Sequence, residues 1–110
     1  PAAMTDAGVV LTTLASEDEA EPFGDDLLER RLGARGAILP QGRSLYRWEE
    51  RIADEREAVV LLKTERRQLD ALAEAFAELH PYQVPELLAL PVHHGLSRYL
   101  TWIAAETDPV

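Results

Sequence analysis

A chain of 110 residues with twenty acidic and eleven basic side chains, a net charge of −9, has room for one domain and hardly two. That balance repels phosphate backbones and anionic lipid surfaces, which counts against nucleic-acid and membrane partners and leaves cations, metals and basic partners open. With no cysteine there is no disulfide, thiolate ligand or thiol nucleophile.

Residues 1–7 read as a loose tail. Pro1-Ala-Ala-Met-Thr-Asp6 has neither the basic nor the apolar region of a signal peptide, and no apolar run approaches membrane-spanning length. A cytoplasmic protein is the expectation. Gly8 to Leu14 is a short β-branched apolar run and predicts a buried strand. Ser16 then offers a helix N-cap, with Glu17, Asp18 and Glu19 favouring the dipole in the first turn. Ala20, Phe23, Leu27, Leu28 and Leu32 fall at helical spacing, so a helix is expected over about 17–32. Pro22 and Gly24 predict irregularity in its early part, and Gly33 predicts its end.

Arg35 to Leu39 begins a second strand, which Pro40-Gln-Gly42 should bend or bulge. In Arg43 to Glu50 the side chains alternate: Leu45, Arg47 and Glu49 point one way, Tyr46, Trp48 and Glu50 the other. Ala58 to Leu62 is continuously apolar, as in a strand covered on both faces. These segments predict a long antiparallel hairpin with a buried base and a solvated tip. Tyr46 and Trp48, carried beyond a small domain's core, need a cover, for which a second copy of the chain is the natural candidate.

A second helix is expected from Glu65 to His80, burying Leu69, Leu72, Ala73, Phe76 and Leu79 and stopped by Pro81. Leu87 to Val92 reads as an edge strand between prolines, and Ser97 to Ala105 as a helix with Tyr99, Trp102 and Ile103 on one face. The order β-α-β-β-α-β plus a terminal helix is that of an α+β, ferredoxin-like sandwich occupying residues 8–107.

Three histidines are the metal candidates. His93 and His94 are adjacent, and adjacent side chains on an extended chain diverge, while His80 sits in the last helical turn, where a partly charged imidazole suits the dipole. Glu49, Glu50, Asp54, Glu55 and Glu57 could hold a hard divalent cation weakly, but a solvated hairpin tip accounts for them. Tyr46, Trp48, Lys63 and Tyr82 could line a ligand cleft, or serve as core and interface aromatics. No phosphate loop, Ser/His/Asp set or nucleophile elbow occurs, so no catalytic residue is assigned and a phosphate-handling hydrolase on this fold lacks its loop.

His80-Pro-Tyr-Gln-Val-Pro-Glu86 resembles the His-Pro-Tyr-Glu-Val-Pro-Glu segment of the CutA1 divalent-cation tolerance family. Glu29-Arg-Arg-Leu32, Arg43-Ser-Leu-Tyr-Arg-Trp-Glu49, Leu61-Leu-Lys-Thr64 and Tyr99-Leu-Thr-Trp-Ile103 follow the same family's order, so the resemblance spans Val9 to Thr107. It implies a non-enzymatic ferredoxin-like homotrimer, PII-like in architecture, with intersubunit clefts lined by Trp48, Lys63, Tyr82 and Glu86. It also implies a role in divalent-cation tolerance, with no required cofactor and with copper as one metal ligand. The sequence departs from the family at Arg35, where cysteine is usual, at Ala37 for asparagine, at Gln83 for glutamate and at Glu50 for glycine. With Met4 as the sole methionine and no cysteine, soft ligands for Cu(I) are lacking and copper would bind as Cu(II). The alternative is a PII-type module that recognises an organic anion at Lys63 or Arg47.

Overall fold

A computed structural model describes residues 5–109. In chain order it contains β1 (Ala7–Leu14), α1 (Glu17–Glu29), β2 (Arg35–Trp48), β3 (Arg51–Glu65), α2 (Leu69–Leu79), β4 (Leu88–Pro91) and α3 (Ser97–Glu106). The four strands form one antiparallel sheet in the order β2-β3-β1-β4. Among the described residues no helix is long and apolar enough to cross a membrane.

The period-2 pattern of the strands decides where the core lies. Val10, Thr12 and Leu14 of β1 pair with Leu62, Val60 and Ala58 of β3, and all six are buried. Onto this face pack Ala20, Phe23 and Leu27 of α1 and Leu72, Ala75 and Phe76 of α2, with the two phenylalanine rings edge to face at 5.1 Å. Leu69 and Leu79 are only partly buried and Ala73 is exposed, so the buried stripe of α2 runs through Ala75 instead. The opposite sheet face carries Val9, Leu11, Val59 and Leu61, half-buried, with Leu39, Leu88 and Leu90 each more than 50% exposed. The apolar run of β3 is therefore covered by this chain on one side only.

Several boundaries differ from expectation for identifiable reasons. Helix α1 starts at Ser16, whose hydroxyl accepts from the Glu19 amide at 3.2 Å, and it continues through Pro22 without a break. It stops at Glu29 rather than near Gly33. Arg31 takes the left-handed backbone (φ 58°), while the amides of Arg31 and Leu32 bond back to the carbonyls of Leu28 and Leu27. This is a Schellman ending, and Leu32 packs beneath it as the buried apolar residue such endings favour. Gly33 is needed for close packing instead, since a Cβ there would lie 2.4 Å from Leu62 Cδ1. Residues 5–7, read as part of the tail, are fixed, because Ala7 is buried in β1 and Asp6 receives both the amide and the guanidinium of Arg66. The remaining tail residues, 1–4, lie outside the described residues. The same attachment carries β3 through Glu65, so the second helix begins only after one 3-10 turn, Arg66–Gln68.

The bulge predicted at Pro40 is present, with Leu39 opposite Val59 and Gly42 opposite Glu57. Gly42 is required there, since a Cβ would come within 2.8 Å of the Glu57 carbonyl oxygen. Beyond the bulge β2 and β3 pair only with each other, to Trp48 opposite Arg51, so the charged stretch from Arg51 to Glu57 is strand rather than loop. The arm projects roughly 24 Å at about 3.4 Å per residue, and the chain is elongated, 47 × 28 × 23 Å. Glu49 and Glu50 close it as a two-residue turn with φ of 47° and 65°, the backbone of a type I′ turn that favours Asn-Gly. Two glutamates in that conformation store about 1 kcal/mol each. Changing Glu49→Asn together with Glu50→Gly should stabilise the protein by about 1–2 kcal/mol in chemical denaturation. A neutral or destabilising double change would contradict the turn assignment.

Candidate functional site

The segment after α2 is anchored by one side chain. His80 follows the last turn of α2, only 7% exposed, and its Nδ1 accepts the Tyr82 amide at 3.2 Å. Nε2 therefore carries the hydrogen and donates to the Thr13 carbonyl at 3.0 Å, with Thr12 Oγ1 at 3.2 Å. The ring also packs edge to face on Phe23 and Tyr82, at 5.1 and 4.9 Å. Burial pulls its pKa below the ordinary histidine range, outweighing the Thr13 carbonyl and the nearby Glu19 and Glu57 carboxylates, which act to raise it. The imidazole is neutral and core-bound, not the charged dipole cap expected from its place at the helix end.

This clasp turns Tyr82 toward the base of the hairpin, where its hydroxyl donates to Glu57 Oε2 at 2.5 Å. Burial, then the Glu57 carboxylate, pushes the Tyr82 phenol well above the ordinary tyrosine range. Glu57 is itself 7% exposed, so it does not belong to the solvated tip as the sequence suggested. Further along the same face the Tyr46 hydroxyl donates to Glu55, which raises the Tyr46 pKa. The far face of the arm carries a different pair, Arg43 on Asp54 at 2.6 Å.

Between the arm and the connector opens a cleft of about 560 Å³. Of the four residues named for a cleft, Trp48, Tyr82 and Glu86 line this one, joined by Tyr46, Glu55 and Glu57. Lys63 is not among the lining residues. It sits in β3 between Val9 and Arg35, six residues from Glu57 and so roughly 20 Å along the strand at about 3.4 Å per residue. Arg47 is likewise outside the lining. The three histidines are not gathered: His80 is enclosed, whereas His93 and His94 are exposed after β4. Among the described residues no three His, Asp or Glu side chains converge as a metal centre requires. Counting by two from Val59 would have put Glu57 and Glu55 on one strand face, but nothing local shows that Tyr82 reaches back over 25 residues to meet it.

A depressed histidine pKa has a defined consequence for stability. The unfolded chain takes up a proton near pH 6.5 while the folded chain still refuses it, so the His80 contribution is complete above about pH 6.5 and is lost as pH falls through the folded value. His80→Gln should cost about 1–3 kcal/mol at neutral pH through the broken network and should flatten the pH dependence of unfolding below pH 6.5. Denaturant titrations at fixed protein concentration check both; an unchanged pH profile would contradict the clasp.

Comparison with known proteins places this arrangement in a group. Residues 8–106 match the family model described as CutA1 divalent ion tolerance protein. The divalent-cation tolerance protein CutA of Pectobacterium atrosepticum is 41% identical over 102 residues, 93% of each chain. That of Thermus thermophilus is 39% identical over 99 residues, 90% of this chain and 96% of its own. Among solved structures, CutA from Xylella fastidiosa superposes with a TM-score of 0.91 at 36% identity, covering 94% of this chain and all of its own. CutA1 from Oryza sativa gives 0.92 at 30% identity, covering 97% and 98%. With its match running from β1 through α3, the chain belongs to the CutA1 divalent ion tolerance family.

Proposed function

We propose that this chain is a non-enzymatic divalent-cation tolerance protein that works as a homotrimer on a ferredoxin-like fold. The observation that carries the reading is the uncovered sheet face. Leu39, Leu88 and Leu90 stand more than half exposed beside half-buried Val9, Leu11, Val59 and Leu61, a contiguous apolar surface of the kind that marks an interface. The projecting arm adds Leu45 and Ile52, each 66% exposed, and a closed ring of identical copies would cover both surfaces without leaving an open edge. The strand order β2-β3-β1-β4 is consistent with the ferredoxin-like class.

For the metal itself, we assign Cu(II) to His93 and His94, because both ring nitrogens of His80 are already engaged. Because adjacent side chains diverge, one of the two would hold the ion together with oxygen donors or with another copy. A calorimetric copper titration checks this. His93→Ala with His94→Ala should weaken binding at least about tenfold, while His80→Gln should leave it unchanged. Loss of binding in the His80 variant alone would overturn the assignment.

The second reading, a PII-like ligand-sensing module, is favoured by the cleft, whose volume of about 560 Å³ falls among small-molecule sites. Replacing Leu88 and Leu90 by glutamate separates assembly from ligand. The double variant should sediment as a species of 12.3 kDa, whereas an unchanged assembly would show that this face is not the interface.

A further inference from the structure

Helix α3 has little of its own to hold it. It is ten residues long, its start at Leu96 has no side-chain cap, and its last turn carries no basic residue. A helix so short is marginal in water by itself. Within α3 only Ile103 is buried, and it stands outside the core cluster formed by α1, α2 and the inner sheet face. The carbonyls at the end of α3 are nevertheless all occupied. Thr107 donates to the Ile103 carbonyl with both its amide and its hydroxyl, at 3.1 and 2.8 Å. Arg67 donates to the Ala104 carbonyl at 2.8 Å, Arg31 to those of Ala105 and Glu106 at 3.4 and 3.3 Å, and Gln68 to that of Thr107 at 2.6 Å. Cations that favour a helix C-terminus usually come from its own last turn. Here two guanidiniums reach it from just after α1 and from the 3-10 turn before α2.

We propose that α3 is a latched segment: Arg31, Arg67 and Gln68 hold its C-terminal end, and when they let go it undocks as a unit while the sheet and the other two helices stay folded. The backbone at Arg31 is the independent sign of this. Its φ of 58° is the left-handed conformation that glycine takes without cost at a helix end, so an arginine there is strained. Such strain persists where the surrounding structure gives the side chain a task, and the hydrogen bonds of the Arg31 guanidinium go to α3. Charge-assisted bonds to backbone carbonyls are the stronger kind, which lets a few side chains hold a helix that packs little. Because α3 lies against β1 and β3, its release uncovers that end of the two central strands. The latch therefore sets whether those strands are covered there.

Hydrogen exchange followed by mass spectrometry tests this on the full chain in its native assembly, at fixed protein concentration. Arg31→Gly keeps the left-handed turn and removes its strain, and Arg67→Ala changes an exposed side chain only, so the fold is retained in both. The α3 amides should exchange about threefold faster in Arg31→Gly, about tenfold faster in Arg67→Ala and faster again in the double variant, with those of β1, β3 and α2 unchanged. Added salt should speed α3 exchange more in the unaltered chain than in the double variant, because screening weakens a charge held at a helix end. Unchanged α3 exchange in the double variant would show that other contacts, in this chain or from another copy, hold the helix, and it overturns the proposal. So does an acceleration shared equally by β1 and β3, which makes α3 part of the global unfolding unit.

Discussion

A single neutral imidazole joins the helical layer, the central strand and the cleft. His80 has the end of α2 on one side, the Thr13 carbonyl of β1 on another and the Tyr82 amide on a third. Without the ring the Thr13 carbonyl and the Tyr82 amide, both part-buried, would lose this partner, and a polar group left unsatisfied on burial costs about 1–3 kcal/mol. Phe23 and Phe76 close around the ring, so the polar contacts sit inside an aromatic cluster where they are strong and hard to exchange for water. The Pro81–Glu86 connector has no regular structure of its own, and it is held because this one residue is held.

From that anchor the cleft follows. Tyr82 is carried to Glu57, the arm is braced against the connector, and the aromatic and acidic residues of β2 and β3 face the gap. The arm itself is a consequence of strand length: β2 and β3 outrun β1 and β4, so their outer halves pair only with each other. The Pro40 bulge marks where the sheet ends and the free arm begins. A chain built this way has two surfaces it does not cover, the odd-numbered face of β3 and the arm, and both lie on strands that also line or brace the cleft. Assembly and ligand binding are therefore coupled by geometry in our reading, since any copy packed on the sheet face also lies beside the arm.

The element order, the bulge, the long hairpin and the covered face of the sheet were legible because each follows from residue spacing or from a proline or glycine with one compatible conformation. The ending of α1 was not, because sequence rules assign the left-handed position to glycine and here Arg31 takes it, while Gly33 is reserved for contact with Leu62. The start of α2 falls later than its pattern implies because a tertiary contact, Asp6 with Arg66, extends β3 past its local signal. At the site, the motif resemblance named Trp48, Lys63, Tyr82 and Glu86 for a cleft between subunits; within one chain Trp48, Tyr82 and Glu86 line a common gap, and Lys63 lies further along β3. Glu57 looks solvent-exposed in sequence because a run of charge is uniform there. Only its distant partner Tyr82 distinguishes it.

The state of the His80 ring tests this account most directly. Long-range nitrogen–proton correlation spectra of ¹⁵N-histidine-labelled protein report the tautomer and the protonation of each imidazole. The expected result is a His80 ring held as the neutral Nε2–H tautomer, with Nδ1 unprotonated, that takes up its proton only below the ordinary histidine range. A ring that carries its proton on Nδ1, or that titrates in the ordinary histidine range, would contradict the clasp and with it the cleft that depends on it.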